Sequence, residues 1–339
     1  MASDGITILT VVWLDCFNLY GPGNFKLTMT SGPVSADGGV AAAPDDPRLL
    51  TVQTSAAFVD SCWTASLYYR VPDEFNRGSD GAIASRGVDF EARFVPNTGG
   101  PAFITLFVDL VRPPIVLVHG LWSSGKTWTF SLASDSRFPI REFVDYSAKA
   151  DAPFAINRLE VQEHISAALA RCGKLGILCS QVDLVGHSMG GLLSRIHTTL
   201  PVSATPLNRN HGNVRKLITL DSPHYGSPLA TILSGIALDS TTKGQAMRDV
   251  FQELKMRIDQ GAIYDLATGS TALQSLNACP VPGHALVGIG GPDALATILP
   301  PMGPMFLSLY LIQVFTAPSS SAKLTMGSSA NRARKAACL

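Results

Sequence analysis

Charged residues are scarce in this sequence, and neither sign is in excess. Lysine and arginine together number 26, as do aspartate and glutamate, and charged side chains make up 15% of the 339 residues. Because a nucleic-acid-binding surface needs a clustered excess of positive charge, this composition argues against a nucleic-acid partner. Hydrophobic residues account for 46% of the chain, which is typical of a globular protein. The low charge also favours an extracellular or cell-surface location.

The sequence lacks the cysteine spacing of a metal or redox motif. Its six cysteines include no C-x-x-C pair and no Cys/His pattern typical of a metal site. No metal and no organic cofactor is therefore expected. Cys172 and Cys179 are close enough in sequence to be joined across a short loop in an oxidising compartment. We interpret them instead as two unpaired, buried thiols.

Long uninterrupted hydrophobic runs are absent as well. Residues 6–14 (ITILTVVWL) lack the basic flank and the small-residue cleavage site of a secretory signal, and their alternation favours a strand. Residues 300–315 are apolar, but prolines and a glycine interrupt their first part. The uninterrupted remainder is shorter than the ~20 residues that a membrane-spanning helix needs. We expect neither a signal peptide nor a transmembrane span.

Residues 1–110 have the composition and spacing of an all-β domain. Short runs rich in valine, threonine, phenylalanine and tyrosine alternate with turn segments rich in glycine, proline and aspartate, and no helical pattern interrupts them. This spacing predicts an immunoglobulin-like β-sandwich, whose binding partner the sequence does not indicate. The predicted strands are ITILTVVWL, FKLTMT, LLTVQTSAAFV, TASLYYRV, GVDFEARFV and AFITLFVDLV.

From Val111 onward, strand-like and helix-like segments alternate, which predicts an α/β fold with a parallel sheet and crossover helices. Strands are expected at 115–120, 181–186, 216–221 and 284–291, and helices at 157–173, 190–200 and 246–258. The paired prolines of Arg112-Pro113-Pro114 suit a linker. We therefore expect a β-sandwich domain over 1–110, an α/β domain over 113–315 and an irregular tail over 316–339.

The strongest chemical signal is VDLVGHSMGG (182–191), which contains G-x-S-x-G between a predicted strand and a predicted helix. Such a turn is tight enough to force Ser188 into a strained backbone conformation, and the flanking Gly186 and Gly190 avoid a clash between strand and helix. The hydroxyl then projects above the sheet, beside the positive end of the following helix. The pattern predicts a serine nucleophile.

Four segments resemble the lipase and esterase branch of the α/β-hydrolase superfamily, namely VLVHGLW, VDLVGHSMGG, LITLDSPHYGSPLA and DLATGSTALQSLN. They follow one another in the order of that family and cover about residues 113–291. The resemblance implies an α/β-hydrolase fold, Ser188 as the nucleophile, and an oxyanion hole made by the backbone N–H groups of Leu121 and Met189. It also implies structural roles at the site for His119, Gly120, Gly186, His187 and Gly190.

The loop after the first of these strands also fits a second template. Residues 120–127 (GLWSSGKT) match G-x-x-x-x-G-K-[ST], in which Lys126 and Thr127 would contact nucleotide phosphates and Mg²⁺. A phosphate loop leaves the HG pair, the serine turn and SPHYGSPLA unexplained, whereas a hydrolase uses all three. Nucleotide binding therefore stays a remote alternative, and we expect Lys126 and Thr127 to be ordinary residues at the start of a helix.

The acid and the base of a catalytic triad are harder to find. In this fold the chain order is Ser, acid, His. None of the seven histidines follows His284, which opens a predicted strand and so precedes the expected acid. Asp293 after that strand and Asp221 at the end of an earlier one are the candidate acids. Residues 316–339 contain no acidic, aromatic or histidine residue, which we interpret as a flexible tail or as a truncated or frame-shifted end.

These observations predict a serine hydrolase of carboxylic esters with a small-molecule acyl or lipid substrate. The apolar residues 305–315 would form a lid or an acyl-pocket wall, or else an amphipathic core helix. The alternative function is that of a catalytically impaired binding or surface module, which keeps the fold without the histidine.

Overall fold

A computed structural model describes residues 1–75, 81–128, 131–205, 208–254 and 256–288. The candidate acid Asp293, the apolar segment 305–315 and the tail 316–339 lie outside the described residues.

The amino-terminal part of the chain forms two four-stranded antiparallel sheets. In one sheet, β6 (Cys62–Arg70) pairs with β1 (Ile8–Asp15), β3 (Gly39–Ala41) and β5 (Ala57–Val59). The other sheet has the order β4 (Thr51–Ser55), β2 (Gly23–Met29), β7 (Ser85–Pro96) and β8 (Ala102–Val111). The predicted β-rich region is therefore confirmed, while its immunoglobulin-like character stays a prediction.

The two sheets share one hydrophobic core. Alternate side chains of each strand point inward, and the rings of Tyr69 on β6 and Phe90 on β7 meet across the core with centroids 4.6 Å apart. At the far end of the core, the Trp13 ring stacks on Phe94 at 4.5 Å. A disulfide joins Cys16 to Cys62, two residues 46 positions apart that the sequence analysis did not pair.

One short helix interrupts the β region, contrary to the expectation from sequence. This helix, α1 (Val34–Asp37), is a single turn that follows Pro33. The fully buried Asp37 carboxylate forms an ion pair with Arg86 on β7. An ion pair between residues so far apart leaves no periodic signal in the local sequence, which is why the turn was not predicted.

The second half of the chain contains a five-stranded parallel sheet, which confirms the predicted α/β class. Its order is β10 (Arg141–Val144), β9 (Ile115–Val118), β11 (Val182–His187), β12 (Val214–Leu220) and β13 (Gly283–Leu286). The interior strand β9 (IVLV) is buried along its whole length, because crossover helices cover both faces of such a sheet.

Two long helices pack on this sheet and on each other. They are α3 (Phe154–Lys174) and α4 (Met189–Thr198), which share one buried cluster with the sheet. Four further helices lie between β12 and β13, namely α5 (Pro228–Leu238), α6 (Thr242–Glu253), α7 (Gly261–Leu266) and α8 (Thr271–Gln274). A short α2 (Ser131–Ser134) follows β9. The helix predicted at 246–258 begins earlier, because the Thr241 side chain caps it by accepting the Gly244 N–H.

The β-sandwich contacts the end of the parallel sheet at which its strands begin. Arg215 on β12 pairs with Asp183 on β11 at 2.5 Å and donates to the Asp73 carbonyl of the sandwich at 2.7 Å. Burial works to lower the pKa of Arg215, but the Asp183 and Glu74 carboxylates together outweigh it and raise that pKa. At the same end, the Asp4 carboxylate accepts the Ser180 N–H at 2.8 Å. The opposite end of the sheet, where the strands have their carboxyl ends, carries the candidate active site.

Two kinds of feature are absent from the described ranges. No helix in them combines the length and the apolar character needed to cross a membrane. Nor do these ranges contain a cluster of three or more histidine, cysteine or acidic side chains arranged to hold a metal ion.

Candidate active site

The candidate nucleophile and its loop lie where the strand order reverses. The chain passes from β9 to β10 on one side of β9 and later returns to β11 on its other side. In open α/β sheets, ligands bind in the crevice at the carboxyl ends of strands that flank such a point. His119 and Gly120 follow the end of β9, and Ser188 follows the end of β11.

Ser188 occupies a strained turn between β11 and α4. Its φ of 52° and ψ of −124° lie in a region that non-glycine residues rarely occupy. The Ser188 N–H donates to the Leu220 carbonyl at 2.8 Å, which holds the turn against the end of β12. A Cβ atom on Gly186 would lie 2.5 Å from the backbone of Gly191, so strand and helix cross too closely for any side chain there. The predicted sharp turn is present.

The turn at Ser188 is in contact with the loop that begins with His119-Gly120, which we call the HG loop. A Cβ atom on Gly120 would lie 3.0 Å from the Ser188 Cβ, and one on Gly190 would lie 2.3 Å from the Val118 carbonyl oxygen. Within the described ranges, the N–H groups of Leu121 and Met189 donate to no protein acceptor. The structure therefore brings the predicted nucleophile together with the loop that carries one of the two predicted oxyanion donors.

His119 orients the backbone of this loop. The Tyr146 N–H donates to its Nε2 at 3.2 Å, so Nδ1 carries the proton and donates to the Gly120 carbonyl at 2.7 Å. Burial lowers the pKa of His119, which keeps the ring neutral near pH 7. In a trans peptide the Leu121 N–H points away from the Gly120 carbonyl, and thus away from the His119 ring. The structural role that the resemblance implies for His119 stays a prediction.

Tyr146 was missed by the sequence analysis. It follows β10, a strand that was not predicted, and its ring stacks on His119 with centroids 3.9 Å apart. Its hydroxyl donates to the His119 carbonyl. The HG loop has a second packing contact. The Leu121 side chain packs against the buried cluster formed by the helices between β12 and β13. No local sequence signal links these segments.

Asp221 lies at the carboxyl end of β12, near His187. Its φ of 48° is positive, and its carboxylate accepts the Gly288 N–H at 2.6 Å. Burial lowers the pKa of His187, and the negative charge of Asp221 acts in the opposite direction. Of the two candidate acids, Asp221 is thus beside the residue that precedes Ser188, whereas Asp293 lies outside the described residues.

No histidine of the chain hydrogen-bonds to the Ser188 hydroxyl within the described ranges, which contain all seven. His164, His197 and His224 have other partners, namely Glu142, Asn213 and Thr219. His284, the last histidine along the chain, is in register with Ile218, near the middle of β12. Since β13 is two strands from β11, about 9.6 Å at the usual spacing, His284 is not brought to Ser188.

The GKT segment does not begin a long helix. Gly125, Lys126 and Thr127 form one turn of 3-10 helix, and the Thr127 hydroxyl is hydrogen-bonded to that of Ser123. The next described helix, α2, has only four residues. A phosphate loop places its lysine and threonine at the start of a long helix whose N-terminal N–H groups face the phosphates. That arrangement is not found in the described part of this segment.

Comparisons with known proteins give one family match and several similar solved structures. Residues 109–243 match the family model for the PGAP1-like alpha/beta domain. Phospholipase PlaB from Legionella pneumophila is similar at 17% identity and a TM-score of 0.34, over 51% of this chain and 38% of that chain. No curated protein matches the sequence.

Two further solved structures are similar. A monoacylglycerol lipase from Paleococcus ferrophilus aligns at 15% identity and a TM-score of 0.33, over 52% of this chain and 72% of that chain. EstA from Clostridium botulinum aligns at 17% identity and a TM-score of 0.27, over 50% of this chain and 45% of that chain. The present chain thus spans less than half the length of PlaB and of EstA. Residues 109–243, which match the PGAP1-like alpha/beta domain, include four strands of the parallel sheet and the serine turn described above.

Proposed function

We propose that this protein is a serine hydrolase of carboxylic esters that reacts through an acyl-enzyme on Ser188. The observation that carries the proposal is the close contact between two segments. They are the turn at Ser188, whose backbone is strained, and the HG loop, whose glycine has no side chain. Ser188 has a positive φ. A Cβ atom added to Gly120, the glycine of the HG loop, would lie only 3.0 Å from the Ser188 Cβ. Strain of this kind costs of order 1–3 kcal/mol and persists at sites where it serves a function.

In the proposed mechanism, the Ser188 hydroxyl attacks the ester carbonyl and the alcohol leaves. The N–H groups of Leu121 and Met189 would stabilise the negative charge on the tetrahedral oxyanion. Met189 is the first residue of α4, so the partial positive charge at the helix N-terminus would act on the same oxygen. His119 would act indirectly, by holding the Gly120–Leu121 peptide in its orientation. This chemistry needs no metal or organic cofactor.

An acyl or lipid substrate is favoured by apolar side chains that are exposed at the carboxyl edge. Trp122 follows the HG loop and is 39% exposed, while Tyr225 and Leu229, which follow β12, are 73% and 46% exposed. Exposed apolar side chains concentrated near a catalytic cleft are typical of a surface that binds an apolar ligand. We therefore propose an ester whose acyl part contacts this edge.

The alternative function, a fold-retaining binding or surface module, is favoured by one observation. None of the seven histidines is hydrogen-bonded to Ser188 in the described ranges, so no histidine there is placed to accept the proton of its hydroxyl. In serine proteases the oxyanion hole and substrate binding alone leave ~10³–10⁴-fold catalysis over water. We accordingly propose a slow hydrolase, with acylation as the impaired step.

Labelling with a fluorophosphonate tests the proposal. The wild-type chain should be labelled slowly on Ser188, as identified by peptide mass spectrometry, and Ser188→Ala should not be labelled. Ser123→Ala, a change in the neighbouring loop, is the matched control and should label at the wild-type rate. Equal labelling of the wild type and Ser188→Ala would rule out Ser188 as the nucleophile.

Turnover of short p-nitrophenyl esters tests the proposal that this protein hydrolyses esters slowly. The wild type should be weakly active, and Ser188→Ala should remove that activity. Brisk hydrolysis that depends on Ser188 would show that one of the seven histidines reaches the hydroxyl and acts as the base. Turnover unaffected by Ser188→Ala would favour the binding module.

A further inference from the structure

Two cysteines lie on either side of the turn that ends α3. Cys172 lies in the last turn of α3 and is buried, and Cys179 follows after a reversal at Gly176, which has a φ of +69°. The Ile177 N–H donates to the Cys172 carbonyl at 2.9 Å, which folds the chain back along the helix. Cys179 packs against the hydrophobic cluster that contains Cys172, and its thiol donates to the Gln181 carbonyl at 3.1 Å.

This turn is part of the contact between the sandwich and the parallel sheet. The Ala2 N–H donates to the Leu178 carbonyl at 2.8 Å, and the Ser180 N–H donates to the Asp4 carboxylate at 2.8 Å. The Thr7 hydroxyl also reaches the Ser180 hydroxyl, at 3.1 Å. Residues on both sides of Cys179 thus hold the amino-terminal segment in place.

We propose that Cys172 and Cys179 are a modification site, a dithiol that is converted into a disulfide in the compartment where this protein works. Three observations carry the proposal. Cys179 packs against the cluster that contains Cys172, the intervening turn folds the backbone back along the helix, and a second cysteine pair of the same chain, Cys16 and Cys62, is disulfide-bonded. Disulfides persist in oxidising compartments, so an environment that keeps Cys16–Cys62 oxidised also favours this bond.

The oxidant is a small or protein disulfide, for which glutathione disulfide is the probe. One protein thiolate displaces glutathione from the oxidant, and the second protein thiol then displaces the other glutathione from the mixed disulfide. Two S–H bonds are lost and one S–S bond forms. The two electrons released reduce glutathione disulfide to two molecules of glutathione, which also take up the two protons.

The bond would close a short loop and restrict the turn that holds the amino-terminal segment. A loop-closing cross-link acts mainly by limiting the unfolded chain. We therefore expect the oxidised protein to resist thermal unfolding better than the dithiol form, and we expect the gain to require both Cys172 and Cys179.

Peptide mapping tests the proposal directly. The full chain is equilibrated with excess glutathione disulfide, its remaining thiols are blocked with N-ethylmaleimide, and it is digested with trypsin without reduction. Trypsin cleaves after Arg171 and Lys174, so peptides 172–174 and 175–195 stay together only if the disulfide joins them. The expected result is the linked pair, with a mass two hydrogens below the sum of the two peptides.

Variants supply the controls. Cys179→Ser should leave Cys172 blocked by N-ethylmaleimide, whereas Cys279→Ser should retain the linked pair. On oxidation, the Tm of Cys279→Ser should rise by a few degrees more than that of Cys179→Ser, since both keep Cys16 and Cys62. Wild-type protein in which Cys172 and Cys179 are both blocked after this treatment would overturn the proposal, whatever the state of Cys16 and Cys62.

Discussion

Gly120 and Ser188 are packed so closely that a methyl group on Gly120 would lie 3.0 Å from the Ser188 Cβ and 3.2 Å from the His187 Nδ1. Contacts at this distance are tolerated only if the neighbours move by a few tenths of an ångström. Glycine at this position therefore sets the distance between the HG loop and the serine turn. Any larger residue would change the geometry that the proposed reaction requires.

Gly120→Ala should lower the Ser188-dependent rate of labelling by roughly tenfold, because small displacements of reacting groups have large kinetic effects. Its thermal stability should change little. Gly125→Ala is the control in the same loop, since a Cβ there would lie 3.4 Å or more from its neighbours, at ordinary contact distance. Fluorophosphonate labelling rates compare the three proteins. An unchanged rate in Gly120→Ala would mean that the loop does not contribute to the reaction.

A second glycine should affect stability instead. A Cβ on Gly190 would lie 2.3 Å from the Val118 carbonyl oxygen and 2.4 Å from that of His119. Gly190→Ala should destabilise the protein by about 2–3 kcal/mol through overpacking. Gly235 in α5 has no neighbour within 4 Å of its Cβ position, so Gly235→Ala should stabilise by about 0.5–1 kcal/mol. Urea unfolding measures both, and equal effects would contradict the close approach of α4 to β9.

The ion pair of Arg215 and Asp183 should contribute more to stability than the ion pair that Lys216, the next residue on β12, forms with Glu74. Both side chains are 12% exposed. Arg215→Met leaves the Asp183 carboxylate without its cation and should cost about 3 kcal/mol. Lys216 pairs with the exposed Glu74, so Lys216→Met should cost under about 1 kcal/mol. Denaturant unfolding compares the two variants, and a larger loss in Lys216→Met would contradict the assignment.

Stability should fall as the pH drops below neutrality. Burial lowers the pKa of His119, His187, His197 and His224 from the ordinary value of 6.5. The unfolded chain therefore binds protons before the folded one does, so stability is fully present above pH 6.5 and is lost as the pH falls through the lowered folded values. The Tm measured from pH 8 to pH 5.5 should decrease accordingly.

His197→Gln should make this decrease smaller, because a glutamine amide can donate to Asn213 but does not titrate. His284→Gln, which replaces an exposed histidine on β13, serves as the matched control. A Tm that rises between pH 7 and pH 5.5 in the wild type would show that these histidines are not buried in their neutral form.

Much of the fold follows from local patterns. The alternation in segments such as GVDFEARFV corresponds to β7, whose buried positions also alternate, and the apolar run IVLV corresponds to the buried β9. In contrast, β10 was missed because its four residues (REFV) include two charged ones and form an edge strand. Such a strand exists because β9 supplies its hydrogen-bonding partner, which a short local pattern does not reveal.

For the candidate site, the sequence by itself determined the serine turn. Gly186, Ser188 and Gly190 specify it through local sterics, since a strand followed at once by a helix leaves no room for side chains on either side of the serine. Only the tertiary structure decided how His119 is held by Tyr146, that His284 is remote from Ser188, and that Cys16 pairs with Cys62. These relationships join residues that are distant along the chain, and they depend on packing rather than on periodicity or on conformational preference.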